Sequence, residues 1–121
     1  MAGVAFDAPN LAAQVEALSQ DGIDQLPFGV VLLDPHFTVQ YYNATESRLS
    51  GYGKPLGQNF FEISESPNKG ELEARIRNAM EAGPVDLEFS WMGGKGASLR
   101  ELRMRIQSAS RGGVWMFIER D

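Results

Sequence analysis

No cysteine occurs among the 121 residues. That absence removes disulfides, thiolate nucleophiles, thiolate metal ligands and any thioester-linked cofactor together. Histidine is nearly absent too: His36 stands alone, which rules out a histidine-rich metal site. Its setting, Asp34-Pro35-His36-Phe37, is a turn signal and predicts a surface position. Positive charge is in deficit, with 11 Lys and Arg against 16 Asp and Glu, a net charge of −5 and a pI near 4.8. Such a balance argues against nucleic acid or an anionic membrane as partner. The arginines do not gather into a run. Arg100, Arg103 and Arg105 share a stretch with Glu101 and are expected on a solvated face. No stretch approaches 18 apolar residues, and the N-terminus lacks the basic-then-apolar layout of a signal peptide, so the expected location is the cytoplasm. Ser66 has no histidine near enough to act as its base, which argues against a serine hydrolase. Gly93, Gly94 and Gly96 fall between two strands rather than between a strand and a helix, a poor phosphate cradle. No enzymatic activity is expected.

What is present fits one domain: hydrophobic content is 43% and charged content 22%. Asn10 is placed to cap a helix through about Ser19, with Leu11, Val15 and Leu18 on one face and Asp21-Gly22 to end it. Phe28-Gly29-Val30-Val31-Leu32-Leu33 is the pattern of a central strand covered on both faces. Thr38 to Tyr42 reads as its returning partner, and Asn43 as the cap of a short helix that Gly51 stops. Asn59 caps a helical turn carrying Phe60 and Phe61. Glu71 to Ala82 is the clearest helix, with Leu72, Ile76, Ala79 and Met80 as its apolar stripe. Two alternating stretches follow, Val85, Leu87, Phe89, Trp91 and then Leu102, Met104, Ile106; Gly113 to Ile118 is the last strand. Trp91, Trp115 and Phe117 read as sheet packing, with an interface on the outer face as the alternative. This order predicts an α+β domain, a five-stranded antiparallel sheet with helices on one face.

One pair stands apart. If the returning strand turns Tyr42 inward, Glu46 lies four residues on, on the same side of the following helix. A carboxyl buried there has its pKa raised and favours the protonated acid. The plain reading is a polar spot in a core; the sharper one is a ligand pocket.

Leu26-Pro27-Phe28-Gly29 ahead of the first strand and Tyr42-Asn43 ahead of the helices resemble a PAS domain. Val4-Ala5-Phe6, Gln40-Tyr41-Tyr42-Asn43-Ala44, Glu46, Gly57-Gln58-Asn59-Phe60-Phe61 and Trp115-Met116-Phe117-Ile118 narrow the resemblance to the photoactive yellow protein family. It runs over nearly the whole chain. It implies a PAS fold with an N-terminal helical cap at residues 1–25 on a PAS core at residues 26–121. In that family a cysteine carries p-coumaric acid as a thioester, and a tyrosine and a glutamic acid hold its phenolate oxygen. By resemblance Tyr42 and Glu46 take those two positions, and Ser50 that of a threonine supporting the tyrosine. The cysteine's place falls near Ser66-Pro67, in a loop about two residues shorter. Tyr52 replaces an arginine that covers the chromophore, and Gly93 and Lys95 fall about where the family has a gating tyrosine and methionine. The resemblance therefore implies a sensory or protein-interaction domain with no covalent cofactor, acting through an unidentified partner protein or a homodimer. The alternative is a protein that binds a small, non-covalent aromatic ligand between Tyr42 and Glu46.

Overall fold

A computed structural model describes residues 4–50, 53–64, 68–93 and 100–120. The five strands are β1 Gly29–Leu33, β2 Val39–Tyr42, β3 Asp86–Gly93, β4 Arg100–Ser108 and β5 Val114–Arg120; the helices are α1 Leu11–Glu16, α2 Gln20–Asp24, α3 Ala44–Ser50, α4 Phe60–Ile63 and α5 Lys69–Ala82. All strands lie in one antiparallel sheet of order β2-β1-β5-β4-β3, as the α+β reading requires. The chain's two ends of sheet, β1–β2 and β3–β5, meet where β1 pairs with β5, Gly29 opposite Ile118.

Strand alternation divides the buried side chains into two layers. Val31, Leu33, Met104, Ile106, Val114, Met116 and Ile118 point to the inner face and pack with Phe61, Leu72 and Ile76 of α4 and α5. Phe28, Val30, Trp115 and Phe117 point to the outer face, where Phe6, Leu11, Val15 and Ile23 cover them. Each layer fills because successive strand side chains face opposite ways, which is why the apolar run of β1 has no polar position.

Two local expectations are corrected. The helix proposed from Asn10 to Ser19 breaks into α1 and α2. The Asn10 side chain accepts from Gln14 Nε2 at 2.8 Å instead of capping the backbone. Ser19, in extended backbone, accepts from Gly22 N at 3.1 Å and starts α2, so Asp21 and Gly22 lie inside a helix rather than ending one. The solvated-face reading fails for Arg105, over which the N-terminal segment lies, while Arg100 is exposed and Arg103 keeps 40% side-chain exposure. Arg105 retains only 6% side-chain exposure, and its Nη1 donates to Phe6 O at 2.7 Å and Ala8 O at 2.6 Å. One rung along, Gln107 donates to Pro9 O at 3.1 Å and accepts from Ala12 N at 2.7 Å. Arg103, on the other side, donates to Asp7, Glu88 and Glu119 at 2.7 to 2.9 Å. Three alternate residues of one strand thus hold residues 6–12 by their backbone and one carboxylate.

Candidate functional site

Asn43 organises the junction from which the site is built. It is fully buried, and its Oδ1 accepts from Glu46 N at 3.0 Å, the capping bond expected of it. The same oxygen accepts from Val30 N at 3.0 Å, while Nδ2 donates to Ile23 O at 2.9 Å and Phe28 O at 3.2 Å. One amide therefore ties α2, β1 and α3 together with every strong donor and acceptor used. Thr45 adds a bond of 2.6 Å to Leu26 O. Held this way, α3 turns Glu46 over the start of β1.

Tyr42 and Glu46 are both buried, each 3% exposed, but their recorded bonds run to different partners. The Tyr42 hydroxyl bonds Ser50 Oγ at 2.7 Å. Glu46 meets Arg120 fork to fork, Oε1 to Nη1 at 2.6 Å and Oε2 to Nη2 at 2.9 Å. Both carboxyl oxygens accepting at once is the geometry of an ionised carboxylate. Burial pushes the Glu46 carboxyl above the usual carboxylate range, and the hydrogen bonds and charge of Arg120 draw it only part of the way back. Burial works against the Arg120 charge as well, yet the bonds and charge of Glu46, with a further contribution from Tyr42, leave that group raised. The two directions pull the pair apart, one toward a neutral acid and the other toward a cation. Because a guanidinium keeps its proton, the contest is settled at Glu46, the one member of the pair that can titrate.

Room for this pair comes from Gly29. A Cβ there would lie 2.9 Å from Glu46 Cδ and 3.2 Å from Glu46 Cβ, and closer still to Oε1. Gly29→Ala is therefore expected to cost roughly 1–3 kcal/mol through overpacking, read as a lower midpoint in urea. An unchanged midpoint would mean that the Glu46 carboxylate leaves Arg120 at no cost.

Of the other residues placed by resemblance, Gly93 ends β3; Tyr52, Ser66, Pro67 and Lys95 lie outside the described residues. His36 is exposed in its turn. Among the described residues no group of three His, Cys, Asp or Glu is placed to hold a metal ion, and no helix is long and apolar enough to cross a membrane. Arg120 was missed, although a signal existed: Val114, Met116 and Ile118 alternate inward, and period two carries Arg120 to the same face.

The outer face has a recess of about 340 Å³ between α1, α2 and the β4–β5 turn, lined in part by Glu16, Ile23, Arg111 and Trp115. Burial works to raise Glu16, but its bonds from Trp115 Nε1 at 2.7 Å and Ser110 N at 2.9 Å hold it below the usual carboxylate range. Its acid is thereby engaged in tethering α1 to the sheet.

No protein-family model matches the chain. The photoactive yellow protein of Rhodothalassium salexigens is 28% identical over 102 residues, 81% of this chain and 82% of that protein. The photoactive yellow protein domain of the sensor histidine kinase Ppr from Rhodospirillum centenum has the same fold, with a TM-score of 0.77 at 24% identity over 90% of this chain and 99% of that one. The PAS domain of the RpfR quorum-sensing receptor of Cronobacter turicensis, solved in complex with C12:0, matches with a TM-score of 0.68 at 17% identity over 78% and 94%. With the strand order and the Tyr42–Asn43–Glu46 junction already described, these comparisons give the assignment: the chain has the PAS fold and is similar in sequence to photoactive yellow proteins, and it contains no cysteine.

Proposed function

We propose that the chain is a PAS-type sensory or protein-interaction domain that carries no thioester-bound p-coumaric acid and is not a photoreceptor of its relatives' kind. The observation behind this reading is double. The anchoring thiol is absent, and Glu46, the residue matching the phenolate holder, is committed to Arg120. In this reading residues 1–25 are a cap on a core of residues 26–121, and the domain signals by changing how firmly that cap is docked, a shift between two populations. The ladder of Arg103, Arg105 and Gln107 gives the docked state its contacts. The partner is a protein, either another chain or a second copy, that meets the released cap or the sheet face beneath it. The domain works in the cytoplasm and without catalysis. Purified protein treated with the anhydride of p-coumaric acid should stay colourless and gain no mass; a covalent yellow adduct would end the proposal.

A second reading is favoured by the buried polar cluster itself: a small aromatic ligand held without a covalent bond beside Tyr42, Glu46 and Ser50, with Tyr52, Ser66 and Pro67 near it by resemblance. The C12:0 complex of the RpfR domain supports the general capacity of this fold to bind a small molecule. Native mass spectrometry of protein extracted from its source should then show one bound molecule of low mass. A dry, filled interior between Tyr42 and Glu46 in a crystal would count against it.

A further inference from the structure

The inner face of the sheet carries a rung of three side chains from neighbouring strands. Trp91 of β3 is paired with Leu102 of β4, and Leu102 with Arg120 of β5. At the spacing of adjacent strands, Trp91 and Arg120 stand about 10 Å apart across Leu102. At the Arg120 end the charges are matched, since Glu46 accepts from both terminal guanidinium nitrogens. The Trp91 end differs. Its indole packs against the inner core, and its Nε1 is buried with no hydrogen-bond partner among the described residues. Buried polar groups are nearly always satisfied, and an orphan donor calls for a reason.

We propose that Trp91 Nε1 is the hydrogen-bond donor to a ligand of the inner face, and that this ligand is an uncharged, largely apolar molecule bearing a carbonyl oxygen. The proposal rests on the ligand-binding reading above and gives that site its chemical preference. An indole N–H can only donate, so its partner must present an acceptor. The neighbouring charges already cancel, so an anionic guest would bring a buried charge with no counter-ion unless it broke the Glu46–Arg120 pair. A neutral carbonyl compound satisfies Trp91 and leaves that pair intact. Leu102, between the two ends, offers the apolar floor for the guest's body. Retained Tyr42 and Glu46 would then mark an old phenolate site whose preference has moved from anion to neutral acceptor.

Methyl cinnamate and cinnamate test this, being one body with and without charge. The two tryptophans, Trp91 and Trp115, give two indole N–H resonances in a nitrogen-15 spectrum. Methyl cinnamate should move the Trp91 resonance downfield, leave that of Trp115 in place, and bind at least about tenfold more tightly than cinnamate. Trp91→Phe keeps a ring and deletes the donor. It should weaken methyl cinnamate about tenfold with the unfolding midpoint unchanged or raised. The resonance shift is measured on the unaltered chain, so the test survives a variant that folds poorly. Equal affinity for the two probes, or a Trp91 resonance that stays still while the ester binds, overturns the inference and leaves the ligand-binding reading standing. So does a Trp91→Phe variant that loses stability but not affinity, which would mean that the indole serves only to pack against the Phe89 ring beside it. If neither probe binds, this inference falls together with the reading beneath it.

Discussion

Arg120→Met is expected to lower stability by roughly 3–5 kcal/mol at neutral pH, the usual result of stripping one partner from a buried ion pair. Glu46 retains 4% side-chain exposure and Arg120 12%, so water cannot replace the lost guanidinium. The deficit should depend on pH. Glu46 has a folded pKa above its unfolded one, so between those two values the folded chain holds a proton that the unfolded chain releases. Stability contributed by this group is therefore complete below the ordinary carboxylate range and is lost as pH rises through the raised value. Removing Arg120 deletes the influence that opposes the shift and extends the window upward. Guanidinium unfolding between about pH 5 and about pH 8 should show the variant approaching the parent on the acid side. Converting both partners, Arg120→Met with Glu46→Leu, should recover most of the loss, because no unpaired charge then remains. A single variant that loses less than about 1 kcal/mol at every pH would mean that the pair is open to solvent.

The second large effect is local. Arg105→Met removes the donor for Phe6 O and Ala8 O while keeping an apolar stem over the sheet. Hydrogen bonds to a charged donor contribute about 1.5–3 kcal/mol, and here that energy holds a segment rather than the whole fold. Amide exchange at Ala8 and Ala12 should accelerate about tenfold to a hundredfold, with little change at Val31 or Met116 in the sheet centre. Proteolysis should follow, cutting within the first sixteen residues. Uniform acceleration across the sheet would show instead that the N-terminal segment and the sheet open together, which is incompatible with signalling by cap release.

The strands were legible because their patterns are local: β3 and β4 fall where their alternating side chains put them, and β1 and β5 where short apolar runs do. So was the fold, since hairpin-joined strands have few topologies and the Tyr42–Asn43–Glu46 junction is specific. Burial of Glu46 also followed from its spacing to Tyr42. Its partner did not, because Arg120 is 74 positions away and no local spacing relates them. The same holds for Arg105. Its alternation with Met104 and Ile106 marks it as outward-facing, but whether outward means water depends on what lies above, and residues 6–12 reach it only through tertiary folding. Asn10 and Ser19 show a smaller failure: both are good caps by type, and the backbone each adopts decided between them.

The bonds that dock the N-terminal segment join residues 94 to 99 positions apart. Contacts of that range close the largest loops in the chain and are slow to form. On the ribosome residues 6–16 emerge well before β4 and β5, which receive them. Docking of the segment on β4 and β5 should therefore be the final event of folding. Its reversal should then be the first event of unfolding, so the segment that completes the structure is also the one a modest free energy can release.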